Sequence, residues 1–191
     1  MNKSKSQTMV GMALFAAIVV VLQIIGNYIR IGNFSISLVL IPIIVGAALY
    51  GPAGGAFLGG VFGIVVIVDC ITVGNILWIA NPVVTAIVCM LKGILAGFVS
   101  GVLYKYLSRK NQYLGAYLSA IACPLVNTEI FCASLFLFFK DTLAELAGGT
   151  NIFYYTFIVM IGVNFLIEML VNIIFAPAVV SVLKMVKSAK K

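Results

Sequence analysis

The sequence predicts an all-α integral membrane protein with six transmembrane helices in a single bundle and both termini in the cytoplasm. Of its 191 residues, 63% are hydrophobic and only 9% are charged, and the mean hydropathy is +1.22. A soluble domain carries about 25% charged residues, so this chain lacks the polar groups to cover a water-exposed surface. The composition excludes an ordinary soluble enzyme, a disordered chain and a secreted disulfide scaffold.

Six apolar stretches are candidates for membrane-spanning helices, each of which needs about 20 largely apolar residues. The second and third are divided by Tyr50-Gly51-Pro52, a tight turn at which proline ends the preceding helix. The fourth begins near Asn81-Pro82, where proline suits the first turn of a helix. Six spans leave no room for a second domain, so we predict one membrane domain over residues 1–191. The predicted helices are about 9–25, 35–50, 53–70, 79–104, 114–139 and 154–183.

The basic residues predict which side of the membrane each loop faces. Only Arg30 and Lys140 fall on one side, and nine basic residues fall on the other. Lysine and arginine concentrate in cytoplasmic segments, so the side with nine is predicted to be cytoplasmic. The net charge of +7 is therefore a topology signal and not a nucleic-acid-binding surface. The nine are Lys3, Lys5, Lys105, Arg109, Lys110, Lys184, Lys187, Lys190 and Lys191.

Several kinds of active site are missing from the sequence. The chain has no histidine, which excludes a Ser-His pair and a histidine-ligated metal. It has no G-x-x-x-x-G-K-[ST] phosphate loop, so any ATP-driven work must be done by another subunit. The four cysteines have no C-x-x-C spacing and are interpreted as small buried hydrophobes. We therefore expect neither an enzyme nor a metal or cofactor site.

Small residues recur every four positions on three predicted helices, which places each set on one helix face. Such faces let helices approach closely in lipid, so tight packing inside the bundle is the favoured interpretation. On the first helix the same spacing gives either internal packing or a smooth docking face for a partner helix, and the sequence alone favours packing. The sets are Gly51, Gly55, Gly59 and Gly63; Gly93, Gly97 and Gly101; and Ala13 and Ala17.

Three charged residues lie inside predicted spans, where charge is costly and usually faces a cavity or a partner. Lys92, Glu129 and Glu168 fall at about 20–24 Å above the cytoplasmic surface, at the helical rise of about 1.5 Å per residue. All three therefore share one level in the outer half of a hydrocarbon core of about 30 Å. Polar residues at helical spacing extend this layer: Asn81 and Thr85 on the fourth helix, Asn164 and Asn172 on the sixth.

The fifth helix adds Asn127 beside Glu129, just after Pro124. The two are about 200° apart on a regular helix, so both face one cavity only if the proline distorts the turn, and we favour Glu129. Two interpretations of the layer remain open. Lys92 either pairs with a glutamate to staple the helices, or the layer forms a polar pocket open to the outside. Alignment at one depth on three helices favours a pocket.

The chain resembles the substrate-binding S components of energy-coupling factor (ECF) transporters over nearly its whole length. The order and spacing of several loose motifs carry the resemblance. The family's Ala-x-x-x-Ala motif matches Ala13 and Ala17. The other motifs are SLVLIPIIVG at 37–46, LYGPAGGA at 49–56, NP at 81–82, KGILAG at 92–97, NFLIE at 164–168 and AP at 176–177.

The resemblance implies a division of labour in a multi-pass protein of the bacterial plasma membrane. The S component would bind a small water-soluble vitamin near its outer face and dock through Ala13 and Ala17 on a membrane coupling subunit. Two cytoplasmic ATPases would then power a toppling motion. The Asn-Pro passage looks most like pantothenate-type members, with Lys92 meeting a carboxylate; riboflavin is the second candidate. The expected partners are thus the vitamin, membrane lipid, the coupling subunit and two ATPases.

Two other functions remain as alternatives. A stand-alone secondary carrier or channel would need a continuous polar path, but the inner halves of helices two to four offer little beyond glycine, alanine and Ser100. A membrane enzyme would use Lys92 and two glutamates for acid–base chemistry. It ranks last, because no histidine, metal set or aspartate cluster accompanies them.

Overall fold

The structure is a computed structural model that describes the backbone at residues 5–28, 30–31, 34–35 and 38–188. Within those ranges, side chains at 27–28, 30–31, 34–35, 159–161, 163–164 and 187–188 lie outside the description. The described chain is helical apart from β1 (Arg30–Ile31) and β2 (Phe34–Ser35), which pair antiparallel. The α-helices are α1 (Lys5–Tyr28), α2 (Leu40–Tyr50), α3 (Pro52–Val73), α4 (Ile76–Ala80), α5 (Pro82–Leu107), α6 (Gln112–Phe138), α7 (Lys140–Ala147), α8 (Ile152–Tyr154) and α9 (Val163–Ser188), with a π-helix (Tyr155–Gly162) before α9.

Five helices in the described part of the chain are long and apolar enough to cross a membrane. They follow the first, third, fourth, fifth and sixth predicted spans, with ends displaced by at most four residues, except that the last segment begins 11 residues later than predicted, at Phe165. This agrees with the predicted all-helical membrane protein. The five candidate segments are Lys5–Gly26, Pro52–Val73, Pro82–Leu107, Gln112–Phe138 and Phe165–Val186.

The prediction of six spanning helices is not confirmed, because the second is too short. The sequence predicts a helix over 35–50, but α2 has 11 residues and a length of only about 16 Å. It ends where Gly51 adopts φ +83°, and Pro52 then starts α3. Seven α2 residues are buried, as expected of a core helix of this length. The cytoplasmic location of both termini stays a prediction.

Two segments predicted as outer loops contain helices. Asn75 begins α4 by accepting a hydrogen bond at Oδ1 from the Leu77 N–H, 2.9 Å away. Leu143 of α7 is fully buried, in the same hydrophobic cluster as Leu77 of α4. Short capped helices thus replace the expected loops at the predicted outer ends of α3 and α6.

Glycine lets α3 and α5 pack backbone against backbone. A Cβ atom added to Gly59 would overlap the carbonyl oxygen of Gly93, and one added to Gly55 would overlap that of Gly97. At Gly63 an added Cβ would lie 2.8 Å from the carbonyl oxygen of Cys89. The packing interpretation of the glycine stripes is therefore confirmed.

Two buried serines fix the register between α5 and α6. The Ser119 hydroxyl donates to the Ser100 carbonyl oxygen at 3.0 Å, and the Ser100 hydroxyl donates to the Ser119 carbonyl oxygen at 3.5 Å. In membrane proteins such bonds contribute about 0.6 kcal/mol on average. Because the helices are antiparallel, Lys92, eight residues before Ser100, lies level with Asn127, eight residues after Ser119.

Gly59→Ala is expected to lower the thermal unfolding temperature in detergent, because the added methyl group overpacks the α3–α5 contact at a cost of about 1–3 kcal/mol. Gly60→Ala is the matched control, since its Cβ would meet Ile94 side-chain atoms at 3.6 Å, an ordinary contact. Alanine has the higher helix propensity, so the control is expected to unfold at an equal or higher temperature. Equal melting of the two variants would contradict the proposed close contact.

Candidate functional site

A cavity of about 170 Å³ lies between α3, α4, α5 and α6, toward the predicted outer side of the bundle. Most of its wall is apolar. Lys92 is the charged residue among its described lining residues. The polar and aromatic residues of the lining are Cys70, Asn75, Thr85, Cys89, Lys92, Phe131, Ser134 and Phe139.

Lys92 is half-buried and held between two aromatic rings. Its Nζ lies 5.1 Å from the ring centroid of Phe131 and 5.9 Å from that of Phe62. Such cation–π contacts contribute up to about 2 kcal/mol in a desolvated site. Glu129, one of the two glutamates predicted to pair with Lys92, is exposed and lies outside the cavity wall. Pairing of Lys92 with Glu168 stays a prediction. Lys92 itself lines the cavity, a position that suits contact with an anion.

Of the two polar residues predicted for the site at the start of α5, Thr85 lines the cavity and Asn81 does not. The Thr85 hydroxyl is buried in the cavity wall and is shared at 2.8 Å between the carbonyl oxygens of Leu77 and Asn81. Asn81 is exposed, and its Oδ1 accepts a hydrogen bond from the Val84 N–H at 3.2 Å. Asn81 therefore caps α5 and does not line the cavity, contrary to the sequence-based expectation.

Glu129 and Asn127 occupy opposite sides of α6, as their spacing requires, and neither is among the described residues that line the cavity. Glu129 is exposed, whereas Asn127 is half-buried. The Asn127 Oδ1 atom is buried without a hydrogen-bond partner. α6 stays helical through Pro124, so no distortion brings both side chains inward.

Glu168 and Asn172 are buried one turn apart on α9, with exposures of 7% and 1%. The Asn172 Nδ2 donates to the Glu168 carbonyl oxygen at 2.8 Å, and its Oδ1 has no partner. The side chain of Asn164 lies outside the described residues. Leaving a buried acceptor unsatisfied costs about 1–3 kcal/mol. The amide oxygens of Asn127 and Asn172 are therefore suited to accept hydrogen bonds from a bound molecule or from water.

A family comparison identifies the type of protein. The family model for the ECF transporter substrate-specific component matches residues 7–180. The chain belongs to this family. The S component is 29% identical to the pantothenic acid transporter PanT of Lactococcus lactis subsp. cremoris (strain MG1363) in an alignment of 198 positions that covers 96% of each chain. No solved structure matches the chain. With its apolar helices, the S component is a multi-pass bacterial membrane protein.

In this S component, α1 presents its small residues outward. Ala13 and Ala17 are both exposed, among exposed apolar neighbours such as Leu14 and Ile18. On the same helix Val19 is fully buried. The expectation from sequence alone, internal packing of the two alanines, is therefore wrong. Their placement on an open face agrees with what the resemblance implies.

Sequence reasoning missed the aromatic side of the cavity. It interpreted phenylalanine as bundle filler, but Phe131 and Phe62 flank the ammonium of Lys92. Phe131 lies one helical turn above Asn127, the only signal that could have placed it beside the polar layer. Cys70 and Cys89, expected as buried hydrophobes, both line the cavity, with Cys89 buried and Cys70 partly exposed.

Asn172→Leu is expected to leave the thermal unfolding temperature of the substrate-free S component unchanged or raised. The substitution removes a buried amide oxygen that has no partner, and leucine has a similar volume. Thr85→Val is the control, because its hydroxyl is fully bonded, and this variant is expected to melt lower. A large drop in the melting temperature of Asn172→Leu would mean that Oδ1 is satisfied, which would contradict its role as an open acceptor.

Proposed function

We propose that this S component captures pantothenate in the cavity beside Lys92 for an ATP-driven importer. The observation that carries the proposal is the half-buried ammonium of Lys92, which lines the cavity and lies between the rings of Phe131 and Phe62. Pantothenate has one carboxylate, which would neutralise the positive charge of the Lys92 ammonium. At about 4 Å and an effective dielectric constant of about 20, such a pair gains about 4 kcal/mol before desolvation.

The remaining polar groups of pantothenate, two hydroxyls and an amide N–H, are hydrogen-bond donors. The amide oxygens of Asn127 and Asn172 are acceptors without a partner, but both residues lie outside the described cavity wall. Its dimethyl carbon requires an apolar wall, which Val66, Val88 and Phe131 provide. Lys92 and Asn127 lie at the same height along the α5–α6 pair. A carboxylate at Lys92 and a hydroxyl directed toward Asn127 would therefore lie at the same depth in the membrane. The pantothenic acid transporter PanT of Lactococcus, similar along almost its whole length, supports the same substrate.

Riboflavin, the second candidate, fits these features less well. It is neutral and would leave the Lys92 ammonium without a counter-charge in a half-buried site, an unfavourable arrangement. Its three-ring system is also larger than pantothenate. The cavity of about 170 Å³ is below the about 300–1,000 Å³ of typical drug-sized pockets, which favours the smaller vitamin.

The transport step would be supplied by other subunits. Since the chain has no phosphate loop, ATP hydrolysis belongs to two cytoplasmic ATPases that act through a membrane coupling subunit. The exposed face around Ala13 and Ala17 would receive a helix of that subunit, because small residues allow close approach in lipid. The whole S component would then topple and carry the cavity inward.

The alternative functions have less support from the geometry. A carrier or channel needs a polar path below the cavity, but the buried hydroxyls of Ser100 and Ser119 are engaged with each other's helices. A membrane enzyme would need Lys92 and a glutamate to act together, yet Glu129 is exposed outside the cavity wall. Both alternatives therefore lack the arrangement that their chemistry requires.

Lys92→Met is expected to weaken pantothenate binding about 100-fold, since a charged hydrogen bond contributes about 1.5–3 kcal/mol. Titration calorimetry on the purified protein would measure the affinity, and mass spectrometry would identify any vitamin that co-purifies. Lys140→Met, which removes an exposed positive charge outside the cavity, is the control and is expected to bind normally.

Pantothenol, which has a hydroxyl in place of the carboxylate, separates the contribution of charge. It is expected to bind the wild type weakly and to bind Lys92→Met with nearly the same affinity. Equal loss of pantothenate and pantothenol in Lys92→Met would contradict a carboxylate contact. Tighter binding of riboflavin than of pantothenate would overturn the substrate while leaving the family intact.

Ala13→Leu and Ala17→Leu are expected to spare pantothenate binding and abolish uptake in cells that express the coupling subunit and ATPases. The larger side chains would hold a partner helix away from α1, which lies outside the cavity wall. Ala133→Leu, on the exposed side of α6, is the matched control and is expected to transport normally. Normal uptake by the α1 variants, or their loss of binding, would count against the docking face.

A further inference from the structure

A second cavity lies at the opposite end of the bundle, in a groove between α1 and α3. Its volume is about 440 Å³, and its described walls are Lys5, Thr8, Met9, Met12 and Phe57. Lys5 begins α1, so the groove lies at the predicted cytoplasmic surface of the membrane. It contains no residue of the cavity beside Lys92 and takes no part in the proposed capture of the vitamin.

The groove is built by close contacts and is not a gap left by loose packing. The Tyr50 hydroxyl packs so tightly on Gly11 that a Cβ there would overlap it, which holds the start of α1 against the α2–α3 corner. A Cβ added to Gly54 would lie 3.5 Å from the Met12 sulfur, so Met12 forms the back wall. The floor and the outer edge are apolar, with Met9 72% exposed and Phe57 54% exposed.

The polar groups of the groove are at one end. Lys5 supplies a cation and Thr8 a hydroxyl, whereas the other three described lining residues are apolar. A phospholipid divides its chemistry in the same way, with a phosphate at the membrane surface and an acyl chain below it. Lysines near helix ends extend their ammonium groups to the interface, where lipid phosphates lie.

The distribution of charge favours an anionic lipid. Nine of the chain's basic residues fall on the predicted cytoplasmic side. None of the acidic residues does: they are Asp69, Glu129, Asp141, Glu145 and Glu168. By the predicted topology, therefore, no acidic side chain lies at that surface to pair with the Lys5 ammonium. Each basic residue near an anionic leaflet contributes about 1 kcal/mol to the attraction.

We propose that the α1–α3 groove binds one anionic phospholipid of the cytoplasmic leaflet, with the phosphate on Lys5 and Thr8 and an acyl chain along Met9, Met12 and Phe57. Met9 lies one helical turn from Ala13. The lipid therefore borders the exposed small-residue face of α1 and completes the surface on that side.

The test is native mass spectrometry of the purified protein released from nanodiscs that hold equal amounts of phosphatidylglycerol and phosphatidylcholine. The wild type is expected to retain one phosphatidylglycerol about fivefold more often than one phosphatidylcholine, the ratio that corresponds to about 1 kcal/mol. Lys5→Gln is expected to reduce this preference to parity. Phe57→Ala is expected to lower the retention of both lipids, because it removes the acyl-chain wall.

Lys105→Gln is the matched control, since it removes an exposed charge on the same predicted side but outside the groove. It is expected to keep the fivefold preference, and melting in detergent verifies that every variant is folded. If Lys105→Gln lost the preference for phosphatidylglycerol as fully as Lys5→Gln, the preference would come from diffuse electrostatic attraction and not from the groove. That result would overturn the proposal. Unchanged retention in Lys5→Gln, combined with weaker assembly with the coupling subunit, would assign the groove to the protein partner instead.

Discussion

The contact between α3 and α5 at Gly59 and Gly93 is the constraint on which the rest of the bundle depends. Lipid offers no hydrophobic driving force between helices, so association depends on how closely backbones can approach. The glycine stripe permits that approach only as far as Gly63, which meets the Cys89 carbonyl oxygen. Beyond it Val66 and Thr85 carry side chains, and the cavity begins where the stripe ends. One packing motif thus joins the helices and opens the cavity above them.

Placing Lys92 in that cavity determines its chemistry. A lysine at this depth costs about 2.5–3.5 kcal/mol on insertion scales, and aromatic faces compensate only part of it. Under the proposed function, a carboxylate ligand would supply the counter-charge, so the energy that the aromatic faces do not compensate would become affinity for an anionic solute. The amide oxygens of Asn127 and Asn172 are also uncompensated, because each is buried without a hydrogen-bond donor. Stability and binding are therefore in competition at this site.

The two ends of the molecule serve different partners. At the predicted outer end, the cavity is enclosed by packed helices and by the short α4. At the predicted inner end, α1 rests on Tyr50 through Gly11 and leaves Ala13 and Ala17 open, beside the groove at Lys5. Under the proposed function, the first end recognises a solute and the second meets the coupling subunit and the surrounding lipid. A rigid α3–α5–α6 unit between them would let the whole S component move as one body.

The sequence by itself determined the membrane class, the positions of the long helices and the level of Lys92, because apolar length and buried charge are local properties. The tertiary structure decided which way each side chain faces. Glu129, the favoured cavity residue of α6, is exposed, and Asn127 is half-buried, because the rotation of α6 is set by its neighbours and not by its own residues. Asn81 became a cap, and Ala13 and Ala17 became an exposed face. In place of the second predicted span, 35–50, the structure has the 11-residue helix α2, whose buried residues pack against the surrounding helices.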